Sequence, residues 1–145
     1  MEKDAAGIFK KGNVYIQGYA GVENRGGWIA YGPVFRCSIQ DEHQLMRNLR
    51  SAFEYSIQGV PHPGRDGWKE VQRPMLEAVG AKTWSAMARG AKSVGFRLRG
   101  DILTMYLSCN YWDRGGTELE GQDITVSIHS PELGKLIIKA FEISS

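Results

Sequence analysis

The segment from Lys92 to Asn110 restricts the fold most strongly, because it alternates apolar and polar residues on both sides of a two-residue turn. Apolar residues occupy every second position before the turn and again after it: Val94, Phe96 and Leu98, then Leu103, Met105, Leu107 and Cys109. Between them, Gly100-Asp101 places glycine first, as a type II′ turn requires. The segment therefore predicts an antiparallel hairpin with one buried face.

Three further segments have strand character. Asn13 to Tyr19 alternates, Trp28 to Ser38 is predicted to pair with it in a long hairpin, and Asp123 to His129 alternates again. Pro33 lies inside the second segment and has no N–H for a ladder, which predicts an edge strand or a β-bulge there. The sequence thus predicts about five strands, preceded by a weakly ordered start over residues 1–12.

Two longer helices are indicated by their caps. Asp41 is a good N-cap and Gln44 follows three residues later, which predicts a capping box for a helix over Glu42 to Gln58. Near the end of the chain, Ser130-Pro131-Glu132 combines a cap, a proline at the first helical position and an acid. A closing helix should follow and bury Leu133, Leu136, Ile137, Ala140 and Phe141.

A connector from Gly59 to Phe96 joins the N-terminal half of the chain to the C-terminal hairpin. Asp66 is predicted to cap one short helix that contains Trp68, and Thr83 to cap another that begins at Trp84. A tryptophan near a helix start is a large apolar anchor with one N–H to satisfy. Both tryptophans are therefore predicted to hold the two halves together.

The order of elements predicts the fold class. Hairpins dominate, and helices lie between and after them, which is typical of α+β proteins. We predict an antiparallel sheet of about five strands built from hairpins, with helices packed mainly on one face. The 145 residues show no internal repeat or linker, so a single domain over residues 1–145 is expected.

Composition excludes several classes of function. A formal net charge of +2 is too small to indicate a nucleic-acid partner. The two cysteines and three scattered histidines are not spaced as the ligands of a zinc site are, and no phosphate-binding glycine loop is present. No metal or cofactor is therefore expected. Without a signal peptide or a membrane-length apolar run, the expected compartment is the cytoplasm, and no membrane partner is expected.

An enzymatic alternative would use His62 and Asp66, which lie close together in a proline-rich loop. Asp66 is better explained as a helix cap and His62 as a surface or turn residue, and the sequence gives no geometric support for a catalytic pair. Cys37 and Cys109 are explained as small core residues. We therefore predict that the chain is not an enzyme.

A second alternative is a small RNA- or DNA-binding module that uses a basic strand face. Arg89, Lys92, Arg97 and Arg99 surround Phe96, and such a face can resemble an RNA-binding platform. The competing explanation is a solvated strand face, which the acidic residues elsewhere in the chain favour. Direct nucleic-acid binding is therefore not expected.

The surface that most favours a protein partner lies in and near a polar, glycine-rich loop. Its acidic members are Glu118, Glu120 and Asp123, and the aromatic residues Tyr111 and Trp112 precede them. Exposed aromatic residues beside acids are typical of protein-binding surfaces. The alternative is that the two aromatic residues pack on the core.

The chain also resembles a known family. The residues that carry the resemblance are the Gly59-Val60-Pro61-His62-Pro63 turn, Trp68-Lys69, Pro74-Met75-Leu76, Gly80, the run from Lys82 to Ala86, the run from Gly90 to Val94, Val34-Phe35-Arg36 and Glu132-Leu133-Gly134. They resemble the immunity proteins of bacterial contact-dependent growth inhibition (CDI) systems over Val34 to about Phe141.

This resemblance implies an inhibitor that acts without catalysis. Such a protein stays in the cytoplasm and binds the C-terminal toxin domain delivered by a neighbouring cell, a class that includes many nucleases. A large complementary interface would occlude the active site of the toxin or block its assembly. The family has no shared functional residue to assign here. Because a loop after a sheet edge can reach a partner without disturbing the core, the predicted toxin contacts are Tyr111, Trp112, Glu118, Glu120 and Asp123.

Overall fold

The computed structural model describes residues 2–24, 27–113 and 115–145. The strands are β1 (Glu2–Lys10), β2 (Asn13–Val22), β3 (Trp28–Ser38), β4 (Gln58–Val60), β5 (Lys92–Arg99), β6 (Ile102–Cys109), β7 (Thr117–Glu118) and β8 (Ile124–Ser127). The helices are α1 (Glu42–Phe53), α2 (Trp68–Val79), α3 (Trp84–Ala88) and α4 (Leu133–Ile143). The predicted α+β class is confirmed.

One sheet contains all of these strands, in the order β3-β2-β1-β5-β6-β7. Neighbours along this path are antiparallel, and β8 pairs with β6 beside β7. The pairing of β2 with β1 ends at Tyr19. Just beyond that point, the short strand β4 runs parallel to β2 and pairs with Gly21 and Val22. The sheet therefore has more strands than the five predicted, because β1, β4 and β7 were not anticipated.

The prediction of a weakly ordered start over residues 1–12 is wrong for residues 2–12, since Met1 lies outside the described residues. Strand β1 lies at the centre of the sheet and pairs with β2 on one side and β5 on the other. Its alternation is weak in the sequence because Ala5 and Gly7, on one face, are small. A side chain at Gly7 would collide with Phe141, since a Cβ there would lie 2.9 Å from the ring.

The irregularity predicted at Gly32-Pro33 is confirmed. Strand β3 forms one edge of the sheet, and its register with β2 shifts between Gln17 and Gly18, opposite these two residues. Gly32 has a φ of +85°, in the left-handed region that favours glycine. A Cβ at Gly32 would also lie 2.6 Å from the Tyr55 ring.

The helix caps agree with the sequence in part. The Asp41 carboxylate accepts from the Gln44 N–H at 3.1 Å, as predicted, but the Gln44 amide donates to Asn48 at 2.7 Å instead of completing a capping box. Helix α1 ends at Phe53, before the predicted Gln58, because residues 54–57 turn the chain into β4.

The start of the second predicted helix differs as well. Helix α2 begins after Gly67 and has no side-chain cap, so the prediction of Asp66 as its cap is wrong. The loop is tight there, and a Cβ at Gly67 would lie 2.7 Å from the carbonyl carbon of Pro63. The cap of α3 is confirmed, because the Thr83 hydroxyl accepts from the Ala86 N–H at 3.1 Å.

Helices cover the sheet on two faces. Helices α1 and α4 lie on the first face, where the largest cluster of buried apolar residues forms between them and the strands. Its fully buried members include Ile16, Leu45, Leu49, Phe96, Leu103, Met105, Leu107, Leu133 and Ile137. Helices α2 and α3 form a smaller cluster with Ile8 and Tyr15 on the opposite face.

Candidate partner-binding surface

The second face of the sheet is only partly covered by helices. Because side chains alternate along a strand, residues paired in register share a face. On the second face these are Asp4, Ala6 and Ile8 of β1, Tyr15, Gln17 and Tyr19 of β2, Ser93, Gly95 and Arg97 of β5, and Thr104, Tyr106 and Ser108 of β6. Beyond α2 and α3, strand residues alone line a concavity that includes Asp4, Gly95 and Tyr106 in the described part of the chain.

An aromatic contact joins the connector to the C-terminal half. The rings of Trp84 and Tyr111 lie with their centroids 6.1 Å apart, and both belong to the cluster that contains Met75 and Met87. The prediction of Trp84 as an anchor is confirmed. Trp68 is 46% exposed and stacks edge-on against His62, so the same prediction for Trp68 is wrong.

The predicted toxin contacts fall into two groups. Tyr111 is only 6% exposed, so it packs on the core as the alternative explanation had it, and burial raises the pKa of its phenol, with a further contribution from Tyr19. Trp112 is 65% exposed. Glu118, Glu120 and Asp123 are exposed as well. The contact role of these residues stays a prediction.

The loop that carries the acids is anchored to the sheet. We call residues 113–123 the acidic loop. Glu118 pairs with Ser108 across β6 and β7, which places its side chain on the second face at the edge of the sheet. The Leu119 N–H donates to the Leu107 carbonyl at 2.8 Å, and its side chain packs on the main core. The exposed acids are therefore held on an ordered backbone.

Arginines on the second face are engaged by carboxylates. Arg97 donates to Asp4 at 2.9 Å and lies 3.2 Å from Glu2, while Arg99 donates to Glu2 at 2.9 Å. The carboxylates raise the pKa of Arg97, mainly through its hydrogen bond to Asp4. These contacts reduce the charge that either arginine could offer to phosphate.

The proposed basic platform is also divided between the two faces. Phe96 is 1% exposed and belongs to the core on the first face, whereas Arg97 and Arg99 lie on the second. Lys92 pairs with Phe9 and shares the first face with it. Among the described residues, no stacking surface for bases therefore forms around Phe96.

His62 and Asp66 do not form an acid–base pair in the described part of the chain. The Nδ1 atom of His62 accepts from the Gly64 N–H at 2.9 Å, which is the turn role that the sequence offered as the simpler explanation. Both side chains are exposed, and no hydrogen bond or ion pair joins them among the described residues. In the same part of the chain, no group of three or more His, Cys, Asp or Glu residues could hold a metal ion.

Cys37 is half-buried and free, and burial raises the pKa of its thiol to about 11. The neighbouring charge of Asp41 contributes to this rise, and a hydrogen bond with Asn48 opposes it. At neutral pH the thiol is therefore protonated and a poor nucleophile.

This shift predicts a loss of stability in alkali. The unfolded thiol loses its proton near its ordinary pKa of 9.0, while the folded thiol keeps it until about 11, so the unfolded state binds fewer protons in between. The contribution of Cys37 is fully present below pH 9 and declines as the pH rises toward 11. We expect the Cys37→Ala variant to lose less stability than the wild type over this window in urea titrations. If the free energy of unfolding fell equally steeply with pH in the variant and the wild type, the raised pKa of Cys37 would be contradicted.

None of the described helices has the length and apolar character needed to cross a membrane.

Neither a known protein family nor a curated protein matches the sequence. Solved structures match the fold. A protein of unknown function from Neisseria meningitidis aligns with a TM-score of 0.81 and 16% identity, over 100% of this chain and 96% of that chain. A chain of a CdiA-CT/CdiI toxin and immunity complex from Yersinia pseudotuberculosis aligns with a TM-score of 0.76 and 16% identity, over 100% of this chain and 98% of that chain. The chain therefore shares its fold, over its whole length, with a component of a toxin and immunity complex.

Proposed function

We propose that this chain is a cytoplasmic immunity protein that binds a cognate CDI toxin domain and neutralises it by occluding its active site. The observation that carries the proposal is the whole-length similarity to a component of a toxin and immunity complex. The sequence resemblance to CDI immunity proteins selects the immunity role within such a pair. In this role binding alone accounts for the activity, and the chain catalyses nothing.

The acidic loop supports a protein partner. Trp112, which precedes the acidic loop in the chain, offers a large exposed apolar side chain, and aromatic residues frequently dominate binding energy. Glu118 and Glu120 are exposed on an anchored backbone, so little backbone conformational entropy is lost when they meet a partner. A local acidic surface of this kind complements a basic face on a nuclease, although the whole chain has a net charge of +2.

Growth of an expressing strain tests the function directly. The toxin domain would be taken from the C-terminus of a large exoprotein encoded immediately upstream of this chain, and produced inside cells without a signal sequence. We expect this chain, produced alone, to leave growth unchanged, and to restore growth when produced together with the toxin domain. Growth inhibition by the chain alone would assign it the toxin role, and failure to restore growth would reject the immunity role.

A competition measurement tests occlusion separately. If the chain covers the active site, an inactive toxin variant cannot bind its substrate and the chain at the same time. We therefore expect added substrate to reduce the apparent affinity of the purified pair. Binding of the chain that is independent of substrate would point to inhibition at a remote site.

A further inference from the structure

A partly enclosed cavity lies between the second face of the sheet and helices α2 and α3. Its volume is about 230 Å³. It is lined by Ala6, Ile8, Gln17, Tyr19, Ala30, Val71, Gln72, Met75, Trp84, Ser93, Tyr111 and Gly115. Small residues of the strands form part of its floor, and larger side chains form its walls.

The lining favours a neutral, flat ligand. None of the lining residues in the described ranges carries a charged side chain. Three aromatic residues, Tyr19, Trp84 and Tyr111, contribute to the walls, and Met75 adds a sulfur that contacts aromatic rings favourably. An ion would lose its hydration in this cavity without a counter-charge, whereas an uncharged ring would exchange water for apolar contacts.

The Gln17 side chain in the lining has a protein partner for its amide nitrogen but none for its carbonyl oxygen among the described residues. Gln17 is only 2% exposed, and its amide nitrogen donates to the Gly32 carbonyl at 2.8 Å. Among the described residues no donor forms a hydrogen bond with its carbonyl oxygen. The oxygen is not among the fully buried, unpartnered atoms of the described residues, so it is open to the cavity, where a ligand or a water can supply the donor.

The volume limits the size of the ligand. An engineered apolar cavity of roughly 150 Å³ in another protein binds benzene. A cavity of about 230 Å³ therefore accommodates a somewhat larger ring system, such as two fused rings.

From these observations we infer that the cavity is a binding site for a neutral one- or two-ring aromatic molecule with one N–H or O–H donor, which hydrogen-bonds to the Gln17 carbonyl. This inference does not rest on the proposed immunity function, because it concerns the chain alone.

Two probes of matched shape test the hydrogen bond. Indole has an N–H donor and indene has none, and the binding of each to the full chain can be followed by chemical-shift titration. We expect saturable binding of indole with a dissociation constant on the order of 1 mM or tighter, given the small number of ligand atoms. Indene should bind about 2- to 10-fold more weakly, the usual value of one hydrogen bond. No saturable binding of either probe would mean that the cavity holds only water, and would overturn the inference.

Variants of the cavity lining test whether indole binds inside the cavity. Ala30→Leu fills the cavity from the edge strand, so we expect at least about a tenfold loss of indole affinity. Ala86→Leu makes the same change at an exposed position of α3 outside the lining, and should bind as the wild type does. Equal affinity in the two variants would place the probe elsewhere and overturn the inference.

A third variant tests whether the preference for indole over indene depends on Gln17. Gln17→Met keeps the length of the side chain but removes the acceptor, so the preference for indole over indene should fall to about one. The ratio of two affinities within one variant is independent of its overall stability. A retained preference would overturn the role of Gln17.

Discussion

Replacing Gly18 with alanine should destabilise the fold by about 3 kcal/mol or more, through overpacking of two backbone segments. A Cβ at Gly18 would lie closer than 3.0 Å to the carbonyl oxygen of Ala52, and 3.3 Å from the Cβ of Tyr55. A carbonyl in the last turn of α1 cannot rotate away as a flexible side chain can. Helix α1 would have to move off β2, and Leu45 and Leu49 in the core would move with it.

Gly95→Ala is the matched control. Gly95 also lies in a strand of the sheet, but a Cβ there would meet only the Tyr106 side chain, at an ordinary contact distance of 3.7 Å. We expect its stability to stay within about 1 kcal/mol of the wild type, because alanine also lowers the entropy of the unfolded chain. Urea unfolding of both variants measures the difference. A Gly18→Ala midpoint equal to that of Gly95→Ala would contradict the close approach of α1 to the sheet.

Reversing two charges in the acidic loop should weaken the proposed toxin complex by about 100-fold at low salt, the scale of two lost charge contacts at a complementary interface. The variant is Glu118→Lys with Glu120→Lys. Both side chains are exposed, and the loop backbone is held by β7 and by Leu119, so the fold should tolerate the change. The affinity of the purified pair should be measured at two salt concentrations. The difference in affinity between the double variant and the wild type should be smaller at the higher concentration.

The matched control for this double change is Glu54→Lys with Glu142→Lys. It makes the same change in net charge at exposed positions near the ends of α1 and α4, the helices on the first face. Lysine is compatible with a helix C-terminus, so stability should be preserved. We expect at most a few-fold loss of affinity. An equal loss in both double variants would indicate a net-charge effect, and no loss in either would remove the acidic loop from the interface.

Local signals in the sequence predicted local structure well. The hairpin of β5 and β6, the cap at Thr83 and the bulge at Gly32-Pro33 each depend on residues close together in the chain. Strand β1 was missed because its pairing partners decide its structure. Its register with β5 joins Glu2 to Arg99, a contact that no short window of sequence can indicate.

The candidate site was predicted less completely for the same reason. Exposure of Trp112 and of the acids in the loop followed from their polar surroundings. The burial of Tyr111 depends on Trp84, and the charge of Arg97 is offset by Asp4, which lies 93 positions away in the chain. The cavity beside Gln17 is formed by four strands and two helices together, so no single segment indicated it.

The central position of the first strand has a consequence for synthesis of the protein. As the chain emerges from the ribosome, β1 can pair with β2 early, but its other edge stays open until β5 has been made. Closing such a long loop is slow compared with forming a local hairpin. Until residue 99 has been made, the unpaired edge of β1 is open to pairing with other nascent chains, which is the general hazard of an exposed strand edge.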